Sequence, residues 1–113
     1  MTPGEGSALP VVLLCWSPVL RNTLRGFATV RVGRALVIHE ISLHGRGLSR
    51  WCHLPRKPQI DGAGNTRRGT NGKPLFSPVL EWLDKAAADR FSSAVIASVQ
   101  AEYPDALADP VPA

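Results

Sequence analysis

The first half of the chain is assembled from apolar runs of strand length. "VVLLCW" (11–16) is continuous, and Pro18 just beyond it predicts a strand that lies at a sheet edge or ends there, since proline has no amide to give a ladder. "TLRGFATVRV" (23–32) alternates. Leu24, Gly26, Ala28, Val30 and Val32 fall on one face, with Arg25, Phe27, Thr29 and Arg31 on the other. That period of two predicts a half-buried strand with a basic outer face. Gly33-Arg34 has the length of a hairpin turn. "ALVIHEISLH" (35–44) predicts the next strand, with Val37, His39, Ile41 and Leu43 on one side and Leu36, Ile38, Glu40 and Ser42 on the other. "GRG" (45–47) then turns the chain into "LSRWCHLP". Three strands joined by connections this short pair antiparallel.

After Leu54 the pattern lapses. Residues 56–74, "RKPQIDGAGNTRRGTNGKP", carry four glycines and no apolar periodicity, which predicts a long basic loop. "LFSPVLEWL" (75–83) predicts a last short strand, interrupted by Pro78 and therefore irregular or at an edge. The period then changes to that of a helix. Asp84 is placed to cap it, Ala87, Phe91, Val95, Val99 and Tyr103 recur four apart, and Pro104 ends it. The expected class is α+β: a small antiparallel sheet of four to five strands followed by one C-terminal amphipathic helix that covers a sheet face. Residues 10–103 are expected to form one domain. The polar stretch 1–9, "MTPGEGSAL", is expected to be a disordered arm, and 104–113, "PDALADPVPA", a flexible acidic, proline-rich tail.

Charge adds what the pattern does not show. The net charge of +4 is unevenly spread: from Arg21 to Lys73 there are eleven Lys/Arg against two acids, Glu40 and Asp61, whereas from Pro74 onward two cations face six acids. A middle this basic is the footprint of a binder of polyanions, nucleic acid first. Ten prolines and ten glycines in 113 residues disfavour a long helical bundle. Cys15 and Cys52 each sit in an apolar run and read as small buried hydrophobes without a disulfide. The apolar start lacks the basic flank of a targeting peptide, and no stretch nears the ~20 apolar residues of a membrane helix, so a soluble, cytoplasmic protein is expected.

Several tempting motifs carry no chemistry. Neighbours in a strand point to opposite faces, so His39-Glu40 and Cys52-His53 cannot share a metal, and His39 reads as a hydrogen-bonded core residue. No nucleophile elbow frames a serine, and "GAGNTRRGTNGK" has neither the spacing nor the setting of a phosphate-binding loop. No enzymatic activity, cofactor, metal or small-molecule substrate is expected.

From Leu24 to Tyr103, about two-thirds of the chain, the order of segments resembles the SpoVG family (stage V sporulation protein G, the septation regulators). The likeness rests on "LRGFATVRV", "LVIHEISL", "WCHLPRKP", a loop, and a helix ending in "AEY". This chain departs from the family in a longer loop at 59–74, in "SPVLEWLD" before the helix, and in a first strand without charged alternation. The resemblance implies a small bacterial nucleic-acid-binding regulator that is dimeric through its sheet.

The residues expected to meet phosphates are Arg50, Arg56, Lys57, Arg67, Arg68 and Lys73, at one strand end and on the loop after it. A secondary candidate surface is Arg25, Phe27 and Arg31, where cations flank an aromatic as in single-strand binders, although Phe27 reads more readily as core or interface. Trp51 and Trp82, either side of the loop, are stacking platforms or, more commonly for tryptophans at strand ends, core or dimer residues. The alternative is a non-enzymatic protein-interaction module that uses exposed strand edges and aromatics.

Overall fold

Four antiparallel strands, β1 (Val11–Arg21), β2 (Leu24–Val32), β3 (Leu36–Arg46) and β4 (Ser49–His53), pair in chain order because the turns between them are too short for a crossover. The structure, a computed structural model, describes residues 10–110, so the arm expected at 1–9 lies outside the described residues. Pro18 lies within β1, on the free edge of the sheet, where its missing amide leaves no ladder bond unmade.

The helix α1 (Lys85–Glu102) begins where Asp84 accepts a hydrogen bond from the Ala87 amide at 2.7 Å, and Tyr103 caps its other end just before Pro104. Its stripe at four-residue spacing, Phe91, Val95 and Val99, is fully buried against Ala28, Val30, Ile38, Ile41 and Leu43 of the sheet. α1 crosses the sheet diagonally. Cys52 Sγ on β4 donates to Ser92 Oγ at 3.3 Å, and further along the helix Ser98 Oγ donates to the Val11 carbonyl on β1 at 3.5 Å. One sheet face is thereby covered and the other left open.

Strict alternation is broken at four register shifts, and at three of them a bulge moves side chains between faces. Leu14 is the extra residue between Leu13↔Val30 and Cys15↔Thr29, so that Val11, Leu13 and Trp16 all reach the core while Cys15 is exposed, not buried as expected. His39 and Glu40 together oppose Thr29, with Glu40 in the left-handed region at φ 59°. Ile38 and Ile41, assigned to opposite faces by simple alternation, are therefore both buried, and His39 is exposed, 3.4 Å from Thr29 Oγ1. Arg25 is the third bulged residue, between Leu24↔His44 and Gly26↔Leu43.

The segment after α1 is packed, contrary to the flexible tail expected there. Leu107 is fully buried, and its carbonyl lies against Gly45 so closely that a Cβ on Gly45 would collide with it. Asp109 accepts hydrogen bonds from the Gly47 amide and from Arg25. Residues 111–113 lie outside the described residues.

The expected long loop is an ordered arm. Its stem is β5 (Arg56–Pro58) paired with β6 (Phe76–Pro78), a second sheet that replaces the single strand predicted over 75–83. Beyond the stem the chain makes two hairpins, bridged at Ile60↔Thr66 and Arg68↔Pro74. They meet at a closed triangle of backbone hydrogen bonds: Gln59 N to Leu75 O, Leu75 N to Arg67 O, and Arg67 N to Gln59 O, at 2.8, 2.9 and 2.8 Å. Asp61 Oδ1 accepts from the Ala63 and Asn65 amides at one tip and Asn71 Oδ1 from Lys73 at the other, while Gly64 and Gly72 take positive φ. The radius of gyration, 16.0 Å, exceeds the roughly 13 Å of a compact chain of this length, as a projecting arm requires.

Candidate nucleic-acid interface

The arm gathers five of the six cations expected to meet phosphates. Residues 56–78 hold Arg56, Lys57, Arg67, Arg68 and Lys73 against the single carboxylate of Asp61, a net +4 over 23 residues that equals the net charge of the whole chain. None of the five forms an ion pair with a described carboxylate. Lys57 and Arg67 converge from the stem and the hairpin junction on a shared concavity of about 510 Å³, with Gln59 and Ser77 beside them. Arg56 is laid over the Phe76 ring, its guanidinium carbon 4.6 Å from the centroid, so the stem fixes its direction. Arg68 donates to the Gly72 carbonyl at 3.0 Å, steadying the second hairpin with some of its donors still free.

The sixth cation is placed elsewhere. Arg50 folds back on the β3–β4 turn, donating to the carbonyls of Gly47 at 2.6 Å and Ser49 at 2.8 Å, and does not join the arm. Its role is to close that turn.

The secondary surface also separates into its parts. Arg25 is buried, at 3% exposure, because its bulge swings it off the outer face; it donates to Asn22 O at 2.7 Å and to Asp109 at 3.3 Å. The Gly47 amide, foremost, together with Arg25 and the charge of Arg50, draws the Asp109 carboxyl below its ordinary value. Arg25 therefore fastens the post-helix segment to the sheet and is withdrawn from any ligand. Arg31 is exposed as expected, and Phe27 is half-buried on the open face, away from α1 rather than in the core.

The open face carries an aromatic patch of which the sequence shows only the parts. His44 and Trp51 are paired across β3 and β4, with rings parallel to within 5° and centroids 5.5 Å apart; His53 meets His44 edge-on at 5.3 Å. Thr23 Oγ1 and Ser42 Oγ flank the two ring nitrogens of His44 at 3.1 and 3.2 Å, which suits a neutral ring that donates through one nitrogen and accepts through the other. Burial first, then the charges of His53, Arg56 and Arg25, hold His44 below the ordinary histidine value, and burial followed by Arg56 does the same to His53. Trp82 instead packs against the core, 5.0 Å from Phe91. The signal for the patch was present as "SLH" and "WCH" on adjacent predicted strands, but only the register of β3 on β4 shows that His44, Trp51 and His53 share a face.

Between the open face and the arm's stem lies a hollow of about 280 Å³ with a floor of Phe27, Ser42 and His44 and a wall of Arg56 and Phe76; Glu40 contributes a carboxylate. Among the described residues no three His, Cys, Asp or Glu side chains converge to hold a metal ion, and no helix is long and apolar enough to cross a membrane. Burial raises the Cys52 thiol above its ordinary value, which suits a packing role. Compared with known proteins, the chain matches no family model, no curated protein and no solved structure.

Proposed function

We propose that this chain is a small, non-enzymatic nucleic-acid-binding regulatory protein of the cytoplasm that meets the phosphate backbone through its arm. The observation that carries the reading is the arm itself, an ordered projection with five cations, one carboxylate and no described ion pair. A surface kept charged only for solubility intersperses the two signs, and this one does not. The resemblance of residues 24–103 to the SpoVG family points to the same class and to a homodimer formed through the sheet. β1 is an eleven-residue free edge with Val12, Leu14 and Val19 exposed, which is the kind of surface that pairs with a second copy.

Binding measured at rising salt tests the proposal. Five phosphate contacts imply a slope of log affinity on log salt of about −3.5 for a single strand and about −4.5 for a duplex. The variant Arg56→Ala/Lys57→Ala/Arg67→Ala is expected to flatten that slope by about 2 to 3. An unchanged slope sinks the proposal.

The same free edge favours a second reading, a protein-interaction module that captures a partner strand along β1. Freshly purified protein separates the two: nucleic acid carried through purification raises absorbance at 260 nm relative to 280 nm, and a pure protein-interaction module shows no such rise.

A further inference from the structure

The arm explains affinity for phosphates but does not by itself distinguish a duplex from a single strand. The hollow beside it does, provided that the arm binds nucleic acid as proposed. At about 280 Å³ it sits at the small end of ligand sites, with room for one ring system and not for a whole cofactor. The Phe27 ring lies on its floor and Phe76 in its wall, two aromatic surfaces of the type on which unstacked bases rest. Arg56, held over Phe76, stands where the base site meets the cationic stem. Lys57 and Arg67 extend the positive surface along the arm.

Glu40 is the decisive feature. It is one of only two acids between Arg21 and Lys73, and it stands in a hollow whose other charge is the guanidinium of Arg56. It also sits on a bulge at φ 59°, a conformation that L-residues with long side chains seldom take and that functional sites often retain. A carboxylate is a liability on a phosphate-binding surface. It is an asset if it accepts a hydrogen bond from the exocyclic amine of a base, as Glu and Asp do from cytosine N4. In a duplex one hydrogen of that amine still faces the major groove, but both faces of the base stay stacked, so only an unpaired base can enter a floor-and-wall site of this shape.

We infer that the hollow between the open sheet face and the arm receives one unpaired, amino-bearing base, cytosine foremost, from a single-stranded nucleic acid whose backbone runs onto the arm. Phe27 and Phe76 hold the base by stacking, Glu40 accepts from its amine, and Arg56 pairs with the phosphate beside it.

Fluorescence anisotropy with labelled 20-mers of oligo-dC, oligo-dT, oligo-rC and a mixed-sequence duplex tests the inference on the full chain at one fixed salt. Oligo-dC is expected to bind about tenfold more tightly than oligo-dT, whose O4 would face the carboxylate, and more tightly than the duplex. Glu40→Gln should abolish the preference for dC over dT. Phe27→Ala should weaken single strands about tenfold and leave the duplex unchanged. Comparison of oligo-rC with oligo-dC tells whether the single strand served is RNA or DNA, and the preference for cytosine is expected in both. If Phe27→Ala unfolds on thermal melting, Glu40→Gln, which changes only an exposed group, decides alone. Equal binding of oligo-dC and oligo-dT, or a preference untouched by Glu40→Gln, overturns the inference while the arm's affinity for nucleic acid stands. No binding to any of the four ligands overturns both readings. If light scattering shows that Phe27→Ala turns a dimer into a monomer without changing single-strand affinity, the hollow is a contact between copies and the inference fails.

Discussion

Single residues decide where this fold tolerates no change. Gly45 is buried beneath the Leu107 carbonyl, and a methyl group there has no room except by displacing the post-helix segment. Gly45→Ala is therefore expected to cost about 1–3 kcal/mol, the usual range for overpacking a closed site. A thermal melt reads that as a drop of at least several degrees in Tm. Glu40 presents the opposite case. At φ 59° a glutamate is strained by roughly 1–2 kcal/mol, and glycine at that position removes the strain at some cost in unfolded-chain entropy. Glu40→Gly should thus leave stability equal or raise it by up to about 1 kcal/mol while removing the preference for cytosine. A denaturant titration that showed a clear loss of stability would mean that the Glu40 side chain supports the bulge.

Elements in this chain differ in how their stability is supplied, and that difference governs how far each was legible. The α1 stripe at Phe91, Val95 and Val99 could be read directly, because helix packing writes itself into a local period and Asp84 and Pro104 mark the ends. The four strands could be located for the same reason. Their faces could not be followed past Leu14, Arg25 or Glu40, because a bulge is a relation between two strands and leaves no trace in one. Arg25 shows the consequence, as a residue assigned to the outer face lies buried on Asp109. The arm was illegible for another reason. It is held by backbone bonds at Gln59, Arg67 and Leu75 and by side-chain-capped turns at Asp61 and Asn71, with no apolar stripe to betray it. "DGAGN" and "TNGK" were nonetheless turn signals, since Asp and Asn before glycines cap their own loops. Because no residue from Arg56 to Pro78 belongs to the buried core, the arm should be separable. Replacing residues 57–77 with a short Gly/Ser linker is expected to leave circular dichroism and cooperative melting of the four-stranded sheet and α1 intact. The same variant should lose at least a hundredfold in affinity for nucleic acid at low salt, given four lost cations. If the variant fails to fold, the arm is part of the folding unit after all.

At the scale of the molecule, 51 × 40 × 22 Å, a positive arm projects from a domain in which the chain from Pro74 onward carries six of the nine acids, and pH acts on stability and on binding with opposite sign. His44 and His53 both have folded-state values below the ordinary 6.5, chiefly through burial. As pH falls through 6.5 the unfolded chain takes up protons before the folded one does, so the unfolded state binds more protons and stability declines. Above that value both states are neutral at these rings and stability is flat. Asp109, with its carboxyl value lowered in the fold, adds a second decline only below its ordinary value of 3.8, where the unfolded chain again protonates first. Ligand binding runs the other way. A phosphate brought beside Arg56 favours the imidazolium of His44 and His53, so on the proposed function nucleic acid is expected to bind with proton uptake, its affinity rising as pH drops from 7.5 toward 6. Glu40, in the same hollow as His44, is of a sign to assist that uptake. Urea midpoints and anisotropy titrations over the same pH range should diverge, with stability falling and affinity climbing. The double variant His44→Asn/His53→Asn should flatten both curves between pH 7.5 and 6. An affinity that stays level in the wild-type chain would place the phosphate backbone out of reach of the histidine patch, and with it out of the hollow.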